Sequence, residues 1–233
     1  MKYDSIVEAI FVKRPNRFIA HVLIDGKEEI VHVKNTSRCR ELLTPGAKLI
    51  LEDKQHVLGR KTRYSVISVY KGNVLVNIDS QAPNTVVTEA LLENKIKLFD
   101  NLTFLKREVT YGKSRFDVYM EQGTKRCLME IKGVTLENER IAAFPDAPTE
   151  RGSRHVREMI DAVEEGYRGV ILFLIKMKKP DHFTLNRKMD PVFAEVVCQA
   201  QNRGVEILAY DSRVTQDEIV IGDELPVKLN CPY

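Results

Sequence analysis

Residues 114–136 read SRFDVYMEQGTKRCLMEIKGVTL. Two strand-like runs, Ser114–Glu121 and Arg126–Thr135, flank a turn at Gly123, which makes the stretch a β-hairpin. Side chains alternate faces along a strand, so Glu130 and Lys132 share one face while Ile131 points to the other. Asp117 lies on the preceding strand, one hairpin away, and falls beside Glu130. Two converging carboxylates form a hard-oxygen site for Mg2+ or Mn2+. A lysine next to them orients or helps deprotonate a water, or stabilises a developing oxyanion. The same E-x-K spacing also describes a solvated cross-strand charge pair, so the surrounding sequence has to decide.

Working outward, the chain changes period around Gln81–Pro83. Before that point, SIVEAIFVKR, RFIAHVLID, EEIVHVK, AKLILED, YSVISVYK and NVLVNID are short runs rich in Val, Ile and Tyr. They are separated by turn signals at Asp25–Gly26, Pro45–Gly46 and Lys71–Gly72. Ser37–Leu43 is expected to form a short helix. Strands this short over residues 1–82 predict an OB-fold-like β-barrel. After it, Asn84–Leu98 carries a helical stripe, and three strands, a helix over Thr149–Gly166, the apolar run GVILFLIKM (169–177), a helix over Pro191–Arg203 and the strand Val205–Tyr210 follow. The order α-β-β-β-α-β-α-β predicts a layered α/β domain over residues 83–233. The formal net charge of +3 divides unevenly: residues 1–82 hold 14 Lys+Arg against 9 Asp+Glu, and the remainder holds 22 against 24. A basic module for a polyanion beside an acidic one for a cation fits that division, as does ordinary fluctuation.

Asp117 followed by Glu130-x-Lys132 on adjacent strands of such a core resembles the PD-(D/E)xK nuclease superfamily. The resemblance implies Asp117 and Glu130 as metal ligands, Lys132 as the water-activating residue and Glu89, on the preceding helix, as an outer acid. Phe116 stands where the superfamily's namesake proline would be, and Pro145–Asp146 spells the same dipeptide but follows the E-x-K in the chain.

The segments RFIAHV (17–22), HVKNTSRCRELL (32–43), GAKLIL (46–51), RKTRYSV (60–66), PNTVVTEAL (83–91), SRFDV (114–118), EIKGVTL (130–136), FPDAPTERGSRHVREM (144–159) and GYRGVILFL (166–174) together resemble the sugar fermentation stimulation protein family, SfsA. The resemblance runs nearly end to end. It implies an OB-like N-terminal domain joined to a PD-(D/E)xK-like, restriction-endonuclease-like domain, DNA binding largely without sequence specificity, and a regulatory link to sugar metabolism. Lys34 and Ser37 replace the proline and glycine usual in that family. By position, Asp146 is expected to orient Lys132 or a water. Arg151 and His155 share a helical face that in related folds lines the cleft, and are expected to contact phosphate. In the barrel, Arg17, Arg38, Arg40, Arg60, Lys61 and Arg63 are candidate phosphate contacts, with Phe18 and Tyr64 beside them for stacking. The expected partner is DNA, with single strands or RNA as variants; the alternative to a DNA-binding regulator is a Mg2+-dependent nuclease.

Other classes fall away. No stretch approaches 18 uncharged apolar residues, so no membrane span is expected. The opening residues carry early acids and no apolar signal region, and a cytoplasmic protein is expected. Cys39, Cys127, Cys198 and Cys231 show no zinc spacing and are expected to be reduced.

Overall fold

Alternation in the first strands puts one face of each inward. In β1 (Ile6–Asn16), β2 (Ile19–Ile24) and β3 (Lys27–Val33), Ala9, Phe11, Ala20, Val22, Val31 and Val33 are buried while their neighbours face out. The β2–β3 hairpin turns at Asp25 (φ 48°) and Gly26 (φ 78°), the positive-φ pair that a two-residue turn of right-handed twist requires. β4 (Lys48–Asp53) and β5 (Tyr64–Lys71) pair antiparallel, β1 pairs with β4, and a parallel contact of β3 with β5 closes five strands into an OB barrel. β6 (Val74–Asn77) extends the sheet from β5. This computed structural model describes residues 1–231 apart from Thr36, Arg38 and Lys179. The helix expected over Ser37–Leu43 does not form among its described residues: Leu42 N and Leu43 N both turn back to Cys39 O, and Cys39 itself takes φ 44°. A left-handed residue there stops helical propagation.

α1 (Ala82–Leu92) opens the second half. It stops short of the expected Leu98 because Asn94 adopts φ 53°; Lys95 N then bonds Ala90 O and Asn94 N bonds Leu91 O, a Schellman closure. β7 (Phe104–Tyr111), β8 (Ser114–Gln122) and β9 (Lys125–Val134) form an antiparallel meander. β9 then pairs parallel with β12 (Arg168–Ile175), β12 parallel with β14 (Glu206–Val214), and β15 (Ile219–Glu224) adds an antiparallel edge. The order is β15-β14-β12-β9-β8-β7. β10 (Glu137–Asn138), β11 (Ile141–Phe144) and β13 (His182–Leu185) make a separate small sheet.

β12 is buried on both faces, which is why it reads as an unbroken apolar run. Ile171, Phe173 and Ile175 pack with Val156 and Met159 of α2 (Glu150–Glu164) and Phe193 of α3 (Pro191–Asn202). Val170, Leu172 and Leu174 pack on the other face with Val86, Val87 and Leu91 of α1. That second cluster also takes Ile50 and Ile67 from the outside of the barrel, so both halves share one core. Among the described residues no helix is long and apolar enough to cross a membrane. The expectation of four reduced cysteines is corrected: Cys39 and Cys127 are free and buried, but Cys198 on α3 is disulfide-bonded to Cys231.

Candidate metal centre and nucleic-acid interface

The β8–β9 ladder runs from Gln122 opposite Lys125 to Val118 opposite Met129, and one step further Asp117 lies across from Glu130. The strands part there. The N–H of Ile131 is taken by Asp117 Oδ2 at 2.8 Å, a side-chain bond in place of the next ladder bond. Asp117 Oδ1 accepts from Asn84 Nδ2 of α1 at 2.6 Å. Glu130 Oε1 accepts from Lys132 Nζ at 2.5 Å and from His155 Nδ1 at 2.7 Å. Arg151 Nε donates to His155 Nε2 at 3.4 Å, so Nδ1 is the ring nitrogen that donates to Glu130. Thr149, whose hydroxyl accepts from Gly152 N at 3.1 Å, caps the helix that delivers His155.

The electrostatics follow from burial. Asp117 is held above the usual carboxylate range, first by desolvation and then by the charge of Glu130. Burial pushes Glu130 upward as well, but the bond from His155 and the Lys132 ammonium outweigh it, and Glu130 sits below its ordinary value. Glu130 Oε2 is buried without a hydrogen-bond partner among the described residues. Such an oxygen is costly unless something satisfies it. No group of three or more Asp, Glu, His or Cys side chains able to hold a metal occurs among the described residues. Two hard carboxylates with one open oxygen nevertheless fit an ion such as Mg2+, which binds one or two carboxylates and takes its other ligands from water and phosphate.

The structure thus brings Asp117, Glu130, Lys132 and His155 together, but it does not bring Glu89 to them. Glu89 is half-exposed and pairs with the Met1 ammonium at 2.5 Å. Five residues along a helix separate it from the face that carries Asn84. His155 is 3% exposed and holds Glu130, so the expectation that it contacts phosphate is corrected. Arg151 is exposed beside it. Asp146 accepts from Ser37 Oγ at 3.3 Å rather than from Lys132. The family substitution Lys34 turns inward to Asp79, at 3.1 Å. Asn84, the Ile131 N–H and the holding role of His155 were missed by sequence reasoning; Asn84 stands in the quoted PNTVVTEAL segment, the one signal that pointed to it.

On the barrel, Arg17 is exposed and stacks 4.8 Å from the ring centroid of Phe18, itself 48% exposed. Lys61 is exposed with no ion pair among the described residues. Arg60 bonds Thr62 O and Ser65 Oγ, and Arg63 is bound by Asp53 through two nitrogens. Arg40 is exposed in a groove with Arg17 and Pro45. Tyr64 is buried, and the Arg63 guanidinium lies 4.8 Å from its ring centroid. Arg38 lies outside the described residues.

Residues 12–78 match the SfsA N-terminal OB domain, and residues 81–218 the sugar fermentation stimulation protein RE domain. A sugar fermentation stimulation protein homolog of Alkaliphilus oremlandii is 58% identical, over 97% of this chain and 98% of its own length. One of Desulfitobacterium hafniense is 52% identical, over 98% and 99%. The structure of Pyrococcus furiosus SfsA in complex with Ca2+ superposes with a TM-score of 0.89 at 28% identity, over 98% of both chains. With both halves matched in order and relatives aligned along almost the whole length, the chain belongs to the sugar fermentation stimulation protein family.

Proposed function

We propose that this protein binds DNA, largely without sequence preference, and hydrolyses phosphodiester bonds at a divalent-cation site made by Asp117 and Glu130. The observation that carries the reading is Glu130 Oε2, buried and without a partner among the described residues, beside a second carboxylate. The similar Pyrococcus furiosus protein forms a complex with Ca2+, which supports a divalent ion in this chain too. The ion here is Mg2+ or Mn2+, and when bound it supplies charge stabilisation to the phosphoryl group and an acidified water.

The chain's own residues do the rest. Asn84 and the Ile131 N–H hold Asp117 in one rotamer, and His155 holds Glu130. Lys132, on the same strand face as Glu130, presents an ammonium that donates to the attacking water or offsets charge on the phosphoryl oxygens. Arg17, Lys61 and the remaining barrel cations bind phosphates without reading bases, while Phe18 offers a stacking face. A regulatory role in sugar metabolism would act through the same binding.

The test is incubation of the full chain with single- and double-stranded DNA and RNA in Mg2+ or Mn2+, beside Asp117→Ala. Cleavage that the variant loses is expected. Absence of cleavage, or equal cleavage by the variant, overturns the hydrolytic reading. Affinity measured on the same samples should fall steeply with salt, with Lys61→Ala or Arg17→Ala each lowering the salt slope by about 1; salt-independent binding overturns the DNA reading.

A further inference from the structure

One residue past Lys132 on β9 and one before Asn84 on α1, Gly133 and Pro83 line a small cavity between the barrel and the α/β domain. A Cβ on Gly133 would stand 2.7 Å from Pro83 Cγ and 3.4 Å from Lys176 Cε, so only glycine lets these walls meet. Phe144 and Leu136 add apolar surface, and two charged groups face the space: Lys176 and Asp146.

Lys176 is 3% exposed, and among the described residues its Nζ has one hydrogen bond, to Asp79 O at 3.2 Å. An ammonium carries three donors. The nearby carboxylate of Asp79 favours the ammonium but is shared with Lys34, and burial pushes the Cys39 thiol up to about 11. Burial likewise lowers Lys176 to about 8. Across the cavity, Asp146 Oδ1 accepts from Ser37 Oγ, and Oδ2 has no partner among the described residues. Phosphate fits this arrangement badly: Asp146 would repel it, and two of the polar side chains on the wall already donate elsewhere, Asn35 Nδ2 to Ile78 O and Ser80 Oγ to Lys34 O.

We propose that the cavity receives a nucleobase and selects a lactam edge, a ring N–H next to a carbonyl, with Lys176 donating to the carbonyl oxygen and Asp146 accepting the N–H. Guanine, uracil and thymine carry that edge; adenine does not. Phe144 and Pro83 provide the flat apolar walls. The inference rests on the nucleic-acid reading only for its source of bases: the base comes from a strand lying across the neighbouring acids, or from a free nucleoside.

Saturation-transfer NMR and calorimetry with guanosine, uridine and adenosine, and with dT and dA oligonucleotides, test it on the full chain. Guanosine and uridine should bind at least about tenfold tighter than adenosine, the discrimination expected of a two-bond edge. Lys176→Met, which fills the same space without a charge, and Asp146→Ala should remove the difference while thermal unfolding shows both variants folded. Inorganic phosphate should not displace the nucleoside. Equal binding of all three nucleosides, displacement by phosphate, or discrimination that survives in both folded variants overturns the pocket. Salt-dependent oligonucleotide binding with no base preference would sink the pocket and leave the DNA reading standing. Nucleoside discrimination without oligonucleotide binding would do the reverse.

Discussion

Glu130 Oε1 accepts two bonds while Oε2 accepts none among the described residues, and the difference assigns work to each oxygen. On the proposed reading, the bonded oxygen fixes the side chain and the bare one is the ligand. His155 therefore acts through Glu130, and groups that orient a ligand typically change metal affinity or activity 10–100-fold when removed. His155→Ala should raise the Mg2+ concentration for half-maximal cleavage by about that factor, with saturating Mg2+ recovering much of the rate. A loss unchanged at any Mg2+ concentration would argue against a holding role. Lys176 gives a second residue-scale prediction. Its value of about 8 lies below the ordinary 10.5, so between them the unfolded chain binds a proton that the native chain does not, and stability rises with pH through that window. Below pH 8 the full penalty applies, on the order of 3 kcal/mol. Lys176→Met removes it but forfeits the bond to Asp79 O, worth about 1 kcal/mol. Urea denaturation should show the variant about 2 kcal/mol more stable at pH 7, with the gain shrinking towards pH 10. A gain that does not change with pH would contradict this.

At the scale of elements, one carboxylate ties two helices. Asp190 Oδ1 caps α3 through Phe193 N at 2.9 Å, and Oδ2 accepts from Thr149 N, at the start of α2, at 2.8 Å. Asp190→Ala should cost about 1–2 kcal/mol as a lost cap. The second, partly buried N–H it strands should add to that, so urea unfolding is expected towards the top of the range. Elements of this size were legible in the sequence where one physical signal ruled. Period two revealed the barrel strands, the unbroken run 169–177 marked β12, and alternation placed Glu130 and Lys132 on one face. What was not legible depended on long-range contacts. β10, β11 and β13 span two to four residues each and exist through pairing with one another and, for β13, with Val227. α1 ends on the backbone of a single asparagine, and Glu89 and Asn84 are both polar residues on one helix whose rotation about its axis only packing decides. The candidate site was therefore readable as three residues on paired strands, and unreadable where a helix had to choose which side chain to present.

The whole molecule is joined by more than the linker at residue 81. Ile50 and Ile67 of the barrel sit in the cluster built by α1 and the large sheet, and Lys71 of β5 reaches Glu137 of β10 at 2.6 Å. Burial of that kind couples the halves, so differential scanning calorimetry should show one unfolding transition with the calorimetric and van't Hoff enthalpies equal. Two resolved transitions would mean that the halves fold separately.

The shared core has one more consequence. Asp117 and Glu130 stand on inner strands of a six-stranded sheet, and the barrel is fastened to the same sheet, so neither can travel far towards a bound strand. On the proposed reading, whatever adjusts on binding is the nucleic acid. A duplex resists curvature, with a persistence length of about 150 bp, and bending a site by 40–90° costs on the order of 1–6 kcal/mol. A single strand follows a fixed path at almost no elastic cost. At equal length and salt, single-stranded, gapped or frayed DNA should outcompete intact duplex by about tenfold or more in gel-shift competition. Selectivity would then come from the stiffness of the substrate rather than from any residue that reads it.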